Sequence, residues 1–203
     1  MKEFLRTLQV LRWDDHRYYH QSRINQSLHF ISAIGFLVAY AMLFVNPAMS
    51  AVIGWLLSMV TRQSGHFFFE PTDYDHVNGA SNEHKEAIKV GYNFTRKIVL
   101  ILIWAVAPLG LMLDPTYFGI FTEAADKTEL FDQVGLIWLA VGVAGLIFRT
   151  VHLFFIRDVM TGLAWMTKII TDPYHDIKMY HMAPIHLLRG ELIDPMHHVR
   201  EAA

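Results

Sequence analysis

The 203-residue chain has no cysteine, which excludes a disulfide framework, a thiolate nucleophile and any cysteine-based zinc site. It also lacks internal repeats, low-complexity runs and glycine-rich phosphate loops. Lys and Arg number 17 against 19 Asp and Glu, so no basic excess points to nucleic acid as a partner. The opening stretch, "MKEFLRTLQVLRWDDHRYYH", has no continuous apolar core of the kind a cleavable signal needs. Phe4, Leu5, Leu8, Leu11 and Trp13 share one side of it instead, which predicts an amphipathic helix on the membrane surface.

What the chain does have is long runs almost free of charge. Hydrophobic residues make up 53% of it, concentrated in 28–49, 48–60, 98–113 and 136–156. A spanning helix needs roughly 20 apolar residues, with about 17 as the lower limit. The first and last runs meet this directly. The second reaches it only if its helix continues through Gly65 towards Phe69, and the third carries Pro108, which predicts a kink. The expectation is an all-α integral membrane four-helix bundle, a single domain over 1–203. Its spans are 28–47, 48–69, 97–113 and 135–156, with flanking amphipathic interfacial helices and a C-terminal region 157–203.

Positive charge is missing from one side of that arrangement. Segments 1–27, 62–97 and 149–203 hold five, five and six Lys or Arg, and the connection between the third and fourth spans holds only Lys127. The positive-inside rule then puts both termini in the cytoplasm, in a bacterial inner membrane or the endoplasmic reticulum. The histidines follow the same partition, with none in the outer connections. His29, His66 and His152 fall within the ends of spanning segments, where an ionisable group is costly and tends to mark a site.

In "RQSGHFFFEPTD", His66 and Glu70 are four residues apart and share a helical face. Imidazole with carboxylate suits iron or zinc, although such a pair is also an ordinary boundary feature at a lipid surface. Gly65 would let another helix or a substrate chain come close. Upstream, in "YHQSRINQSLH", His20 and His29 are nine residues apart and would face opposite ways on one straight helix. For both to serve one site the chain must bend between them, with Asn25 as the expected N-cap of the first span. Otherwise His29 caps a helix at the boundary and His20 is solvated.

Taken together, "YHQSRINQSLH" and "GHFFFE" resemble the Mpo1-like family, small membrane proteins whose characterised activity is iron(II)-dependent dioxygenation of 2-hydroxy fatty acids. The resemblance rests on Tyr19, His20, Asn25, His29, Gly65, His66, Phe69 and Glu70, with Trp55 on the same helix. It covers residues 19–70. Arg62 stands where the family usually has glutamine, and the Arg-Pro-Ala that often follows the glutamate is replaced by "PTDYDHVNGASNEHKE".

The resemblance implies an Fe2+ site, of one or two ions, at the cytoplasmic helix ends. His20, His29 and His66 are the leading ligands, with His152, His181 and His186 in reserve, and Glu70, Arg62 and Asn25 carry the chemistry. The partners would be dioxygen and a membrane lipid or fatty acid, oxidised and shortened by one carbon. Arg62 or Arg149 could pair with the substrate carboxylate. His16 and His20 also form an i, i+4 pair, as in membrane di-iron hydroxylases and desaturases, but the His-x-x-His-His boxes of those enzymes are absent. A non-catalytic haem or metal-binding protein is the remaining alternative.

The region after residue 157 is less specific. "DVMTGLAWMTKIITDP" carries Val159, Leu163, Met166 and Ile170 at helical spacing and predicts an interfacial helix packed over the site. "GVAG", from Gly142 to Gly145, predicts close helix packing. His197 and His198 fall in the tail.

Overall fold

A computed structural model describes residues 1–196, so His197 and His198 lie outside the described residues. The fold is all-helical, with no strand among the described residues. In chain order the helices are α1 (Lys2–Tyr19), α2 (Arg23–Met42), α3 (Pro47–Val52), α4 (Val60–Phe68), α5 (Asn82–Ile88) and α6 (Phe94–Val106). Then follow α7 (Gly110–Leu113), α8 (Lys127–Ile156), α9 (Val159–Tyr180) and α10 (Ala183–Leu188). A π-helical stretch, Ile53–Met59, joins α3 to α4 so that 47–68 is one continuous rod.

Local sequence sets where these helices begin. Ser22, Asn46, Ser81, Asn93, Asp126 and Asp158 each accept a hydrogen bond from a backbone N–H of the following first turn. These are the residue types that serve as N-caps, because a short side-chain oxygen reaches the unpaired N–H groups there. The cap of α2 is therefore Ser22 and not Asn25, which lies fully buried inside the helix. The bend required between His20 and His29 falls at 20–22.

Three helices are long and apolar enough to cross a membrane: α2, the run Phe94–Leu113 and α8. Their outward faces carry Ile31, Ile34 and Val38, then Val99, Leu102 and Val106, then Ile147 and Phe155, all well exposed. Such faces suit lipid, not water. The expected span 48–69 corresponds to the rod 47–68, which is not among the three.

The edges of the runs differ from expectation for physical reasons. α2 starts five residues before 28 because its polar first turns face inward: Asn25, Gln26, His29 and Ser32 are each at most 1% exposed. Hydropathy reads those residues as outside the bilayer although they are simply inside the protein. α8 begins at Lys127, two turns early, under its Asp126 cap. The kink at Pro108 is a single 3₁₀ turn, Ala107–Leu109.

α9 reverses the expected amphipathicity. Val159, Leu163 and Ile170 are exposed, while Lys168, Asp172 and Asp176, four residues apart along one face, are buried. The charged face packs inward and the apolar face points out, the arrangement an apolar surrounding favours. α1 joins it, its inner side polar rather than apolar: Arg12 donates to Thr171 at 2.6 Å, and Lys168 pairs with Asp15 at 2.9 Å. Of the residues expected on the apolar side of α1, Leu8 is buried and Leu5 is 56% exposed.

α3 meets α8 backbone to backbone at Gly135. A Cβ there would lie 2.5 Å from the Ala48 carbonyl oxygen. In "GVAG", Gly142 makes room for the Trp104 ring instead of a second backbone. Gly135→Ala is expected to destabilise the protein by about 1–3 kcal/mol, because backbone cannot yield as a side chain can. Gly145→Ala, whose Cβ meets only the flexible end of Leu100 at 3.3 Å, should be tolerated. Thermal unfolding of both variants in detergent checks the pair, and equal melting temperatures would refute the contact.

Candidate metal centre

Three histidines from three segments meet at one end of the fold. His20 ends α1, His29 lies in the second turn of α2, and His66 is near the end of α4. One ligand atom of each lies within 4.8 Å of those of the other two, the one such group among the described residues. His20 and His29 are 1% and 0% exposed.

Each segment is held from outside the site. The bend at 20–22 is clamped on one side by the C-terminal stretch: Arg23 N–H donates to Leu192 O, and Asp194 N–H donates to Gln21 O. On the other side Gln21 donates to the buried carboxylate of Asp75 at 2.7 Å. α4 is drawn against α2 at Gly65, where a Cβ would overlap the Asn25 side-chain oxygen. Glycine at 65 thus permits the approach that brings His66 to His29.

The hydrogen bonds fix which nitrogen of each ring is free. His20 Nδ1 faces Asp15 O at 2.8 Å, and His29 Nδ1 faces Asn25 O at 3.0 Å. A carbonyl oxygen only accepts, so both Nδ1 atoms carry the hydrogen. His66 Nδ1 sits 2.6 Å from a Glu70 carboxylate oxygen and donates likewise. The nitrogen left on each ring is Nε2, and those of His20 and His29 are 3.0 Å apart. Two imidazole lone pairs at that distance repel unless a proton or a cation lies between them. Burial pushes His20 down to about 4, against the pull of the Asp15 carboxylate, so a proton is disfavoured at neutral pH. The donor set fits a cation held by neutral imidazoles, each oriented through its other nitrogen.

Glu70 is placed behind the ring instead of beside the centre. One of its oxygens takes the His66 hydrogen bond and the other pairs with Lys89 at 3.1 Å. Asn25 donates from its amide to Tyr19 O at 2.8 Å, tying α2 to the end of α1. Arg62 donates to Asp176 at 2.7 Å and lies 3.5 Å from Asp172, so its charge is already matched.

The reserve histidines are not brought to the triad. His152 lies against the guanidinium of Arg149 at 2.9 Å, and Arg149 itself donates to the backbone oxygens of Val90 and Gly91. His181 is exposed and sits against Lys178 O, and His186 pairs with Glu191 at 2.9 Å. Each has a local partner that accounts for it. His16 meets the Tyr180 hydroxyl at 3.1 Å.

Several residues of the site are not evident from sequence. Tyr180 is 3% exposed, and its ring centroid lies 5.6 Å from that of His20. Beside it runs an ionic network of Asp15, Lys168, Asp172, Arg62 and Asp176. Burial raises Asp176 to about 6, opposed by Arg62. Burial acts the same way on Asp15, but Lys168, His20 and Arg62 outweigh it and hold Asp15 well below its ordinary range. The signal for this network was the spacing Lys168, Asp172, Asp176 in an otherwise apolar stretch; for Tyr180 there was none.

From this centre a cavity of about 650 Å³ runs between α2, the rod 47–68, α6, α8 and α9. Its wall includes His66 at one end and Ser50 and Phe44 at the other. Sixteen residues separate Ser50 from His66, about 24 Å of helix at ~1.5 Å per residue. Midway stand Trp55, Trp104 and Trp138, with Trp55 stacked on Trp104 at 4.5 Å. Trp104 and Trp138 each donate the indole N–H to the other's backbone oxygen at 2.9 Å, which leaves their faces apolar.

No protein-family model, curated protein or solved structure matches the chain.

If Glu70 orients His66, Glu70→Gln keeps a hydrogen-bonding group but loses the charge, and metal affinity should fall by about 10–100-fold. His66→Ala should lose more. Chelator competition followed by elemental analysis of the purified variants checks the order. A Glu70→Gln protein that holds metal like wild type would contradict the arrangement.

Proposed function

We propose that the chain is an iron(II)-dependent membrane oxygenase that shortens a 2-hydroxy fatty acid or similar lipid by one carbon. The observation that carries this reading is the contact between a three-histidine centre and a long apolar cavity, with His66 belonging to both. The resemblance of residues 19–70 to the Mpo1-like family supplies the reaction. In this reading the rod 47–68 is a fourth span, and the histidine end faces the cytoplasm with the positively charged segments.

His20, His29 and His66 would hold the metal through Nε2. Bound there, iron(II) supplies activation of dioxygen, which the side chains alone cannot provide. The backbone oxygens of Asp15 and Asn25 and the Glu70 carboxylate keep the three rings neutral and oriented. Three imidazoles leave coordination positions open, as two-substrate chemistry requires. The apolar walls keep the acyl tail dry, and the Trp55, Trp104 and Trp138 faces pack against it.

The stoichiometry is self-contained. A 2-hydroxy acid plus dioxygen gives the acid one carbon shorter, carbon dioxide and water. The four electrons lost by the two carbons are the four that reduce dioxygen, so no separate reductant is needed. A di-iron hydroxylase would need more ligands than the three that converge among the described residues.

The test is oxygen uptake by the purified, iron-loaded protein. A long-chain 2-hydroxy acid should be consumed with one dioxygen per acid and release of carbon dioxide, whereas the unsubstituted acid should not. His66→Ala should lose both iron and uptake. Iron-loaded wild type that consumes no oxygen with any long-chain 2-hydroxy acid would sink the reading.

A further inference from the structure

Four cationic side chains line the cavity: Arg62, Lys89, Lys97 and Lys168. Three are already paired. Arg62 is held by Asp176, Lys168 by Asp15 and Asp172, and Lys89 by Glu70 and Glu86. Lys97 has no hydrogen bond or ion pair among the described residues. The carboxylates on the same wall are also engaged, Asp14 by Arg17 and both Asp15 and Asp172 by Lys168.

The position of Lys97 is costly unless something uses it. It stands one turn into α6, past the Asn93 cap, in the apolar run Phe94–Leu113. Its neighbours Ile98 and Val99 face outward, 40% and 51% exposed, while Lys97 lines the cavity. A lysine in such a helix would otherwise extend its ammonium to the membrane surface. Here it shares the cavity wall with His66. A lysine amine without a hydrogen bond or ion pair among the described residues, at the metal end of an apolar cavity, is complementary to the head of an anionic lipid.

We propose that Lys97 recognises the carboxylate of the lipid in the cavity, so that the site takes a free fatty acid in preference to its ester. This rests on reading the cavity as a lipid site, and it assigns the role expected of Arg62 or Arg149 to a residue outside the stretch that carries the family resemblance. Lys97 is a specificity-determining residue in this assignment. Arg62 keeps the wall in shape through Asp172 and Asp176, and Arg149 is taken up by the backbone of Val90 and Gly91.

The test uses the metal-free full chain in phosphatidylcholine nanodiscs and needs no turnover. Trp55, Trp104 and Trp138 line the cavity, so a dibrominated stearic acid bound there quenches their fluorescence. Wild type should bind the acid about 10-fold or more tightly than its methyl ester, the ratio expected for a charge-assisted contact away from water. Lys97→Met should lose that preference while retaining the ester, which also reports that the cavity is folded. Lys97→Arg should restore most of the preference. If Lys97→Met lost both ligands, Lys97→Arg would decide: recovered selectivity supports the assignment, and unselective binding overturns it.

Wild type that binds acid and ester alike, or neither, overturns the proposal, as does a Lys97→Met protein that keeps the acid preference. Because the protein is metal-free, failure of the oxygenase reading would leave an acid preference standing. Oxygenase activity with an unchanged Lys97→Met binding profile would remove only the role of Lys97.

Discussion

The structure depends on keeping three imidazole lone pairs turned towards one another. Left alone, neutral rings at this spacing would rotate or separate, since the His20 and His29 Nε2 atoms are 3.0 Å apart. The fold prevents that with restraints on the far side of each ring. Asp15 O holds His20, Asn25 O holds His29, and Glu70 holds His66. Behind these are further restraints: Lys89 on Glu70, Asn25 on Tyr19 O, and the C-terminal stretch on Gln21 and Arg23. Segments from α1, α2 and α4 are thus committed to one repulsive arrangement that a cation between the rings would relieve.

The second constraint is that charge has nowhere to go but inward. α9 turns Val159 and Ile170 out and buries Lys168, Asp172 and Asp176. Isolated, any of these would be strongly unfavourable in an apolar interior, so they are matched against Asp15, Arg12 and Arg62 from α1 and α4. The same pairing that makes their burial tolerable leaves the charge of Arg62 already matched. Lys97 differs from these groups in having no hydrogen bond or ion pair among the described residues.

The parts of this arrangement that were legible in the sequence are those carried by contiguous patterns. Apolar runs located the three long helices, Pro108 located a break, and the family resemblance of the His20, Asn25, His29 and Gly-His-x-x-x-Glu motifs, not their spacing alone, grouped the centre's members on paper. What was not legible depends on which way a face turns. The start of α2 was placed too late because Asn25 and Gln26 are polar, and polarity does not say whether a residue faces the cytoplasm or the interior. α9 was read with its apolar side inward for the complementary reason: the usual rule assumes water outside. His152, His181 and His186 carried the right chemistry, but only tertiary contacts decide that Arg149, Lys178 O and Glu191 are their neighbours. Lys97 was not singled out in the sequence, because the cavity it lines is assembled from segments far apart in the chain.

The triad does not meet the cavity evenly. Of the three rings only His66 contributes to the cavity wall; His20 and His29 sit behind it, against Tyr180 and the clamped bend. His66 is also the ring whose Nδ1 partner is a side chain rather than a backbone carbonyl. Two histidines are thus fixed by the main chain on the closed side, and the third is fixed by a carboxylate–lysine pair on the side that a lipid would approach. A lipid entering beside His66 would come near Glu70, Lys89 and Lys97 before anything else that is charged. Glu70 thus holds one side of that ring, and Lys97 shares the cavity wall with it. A single segment, Gly65 to Glu70, thus supplies the close approach to α2, the ring shared by triad and cavity, and the carboxylate that orients it, which accounts for so unusual a mixture of glycine, histidine, phenylalanine and glutamate.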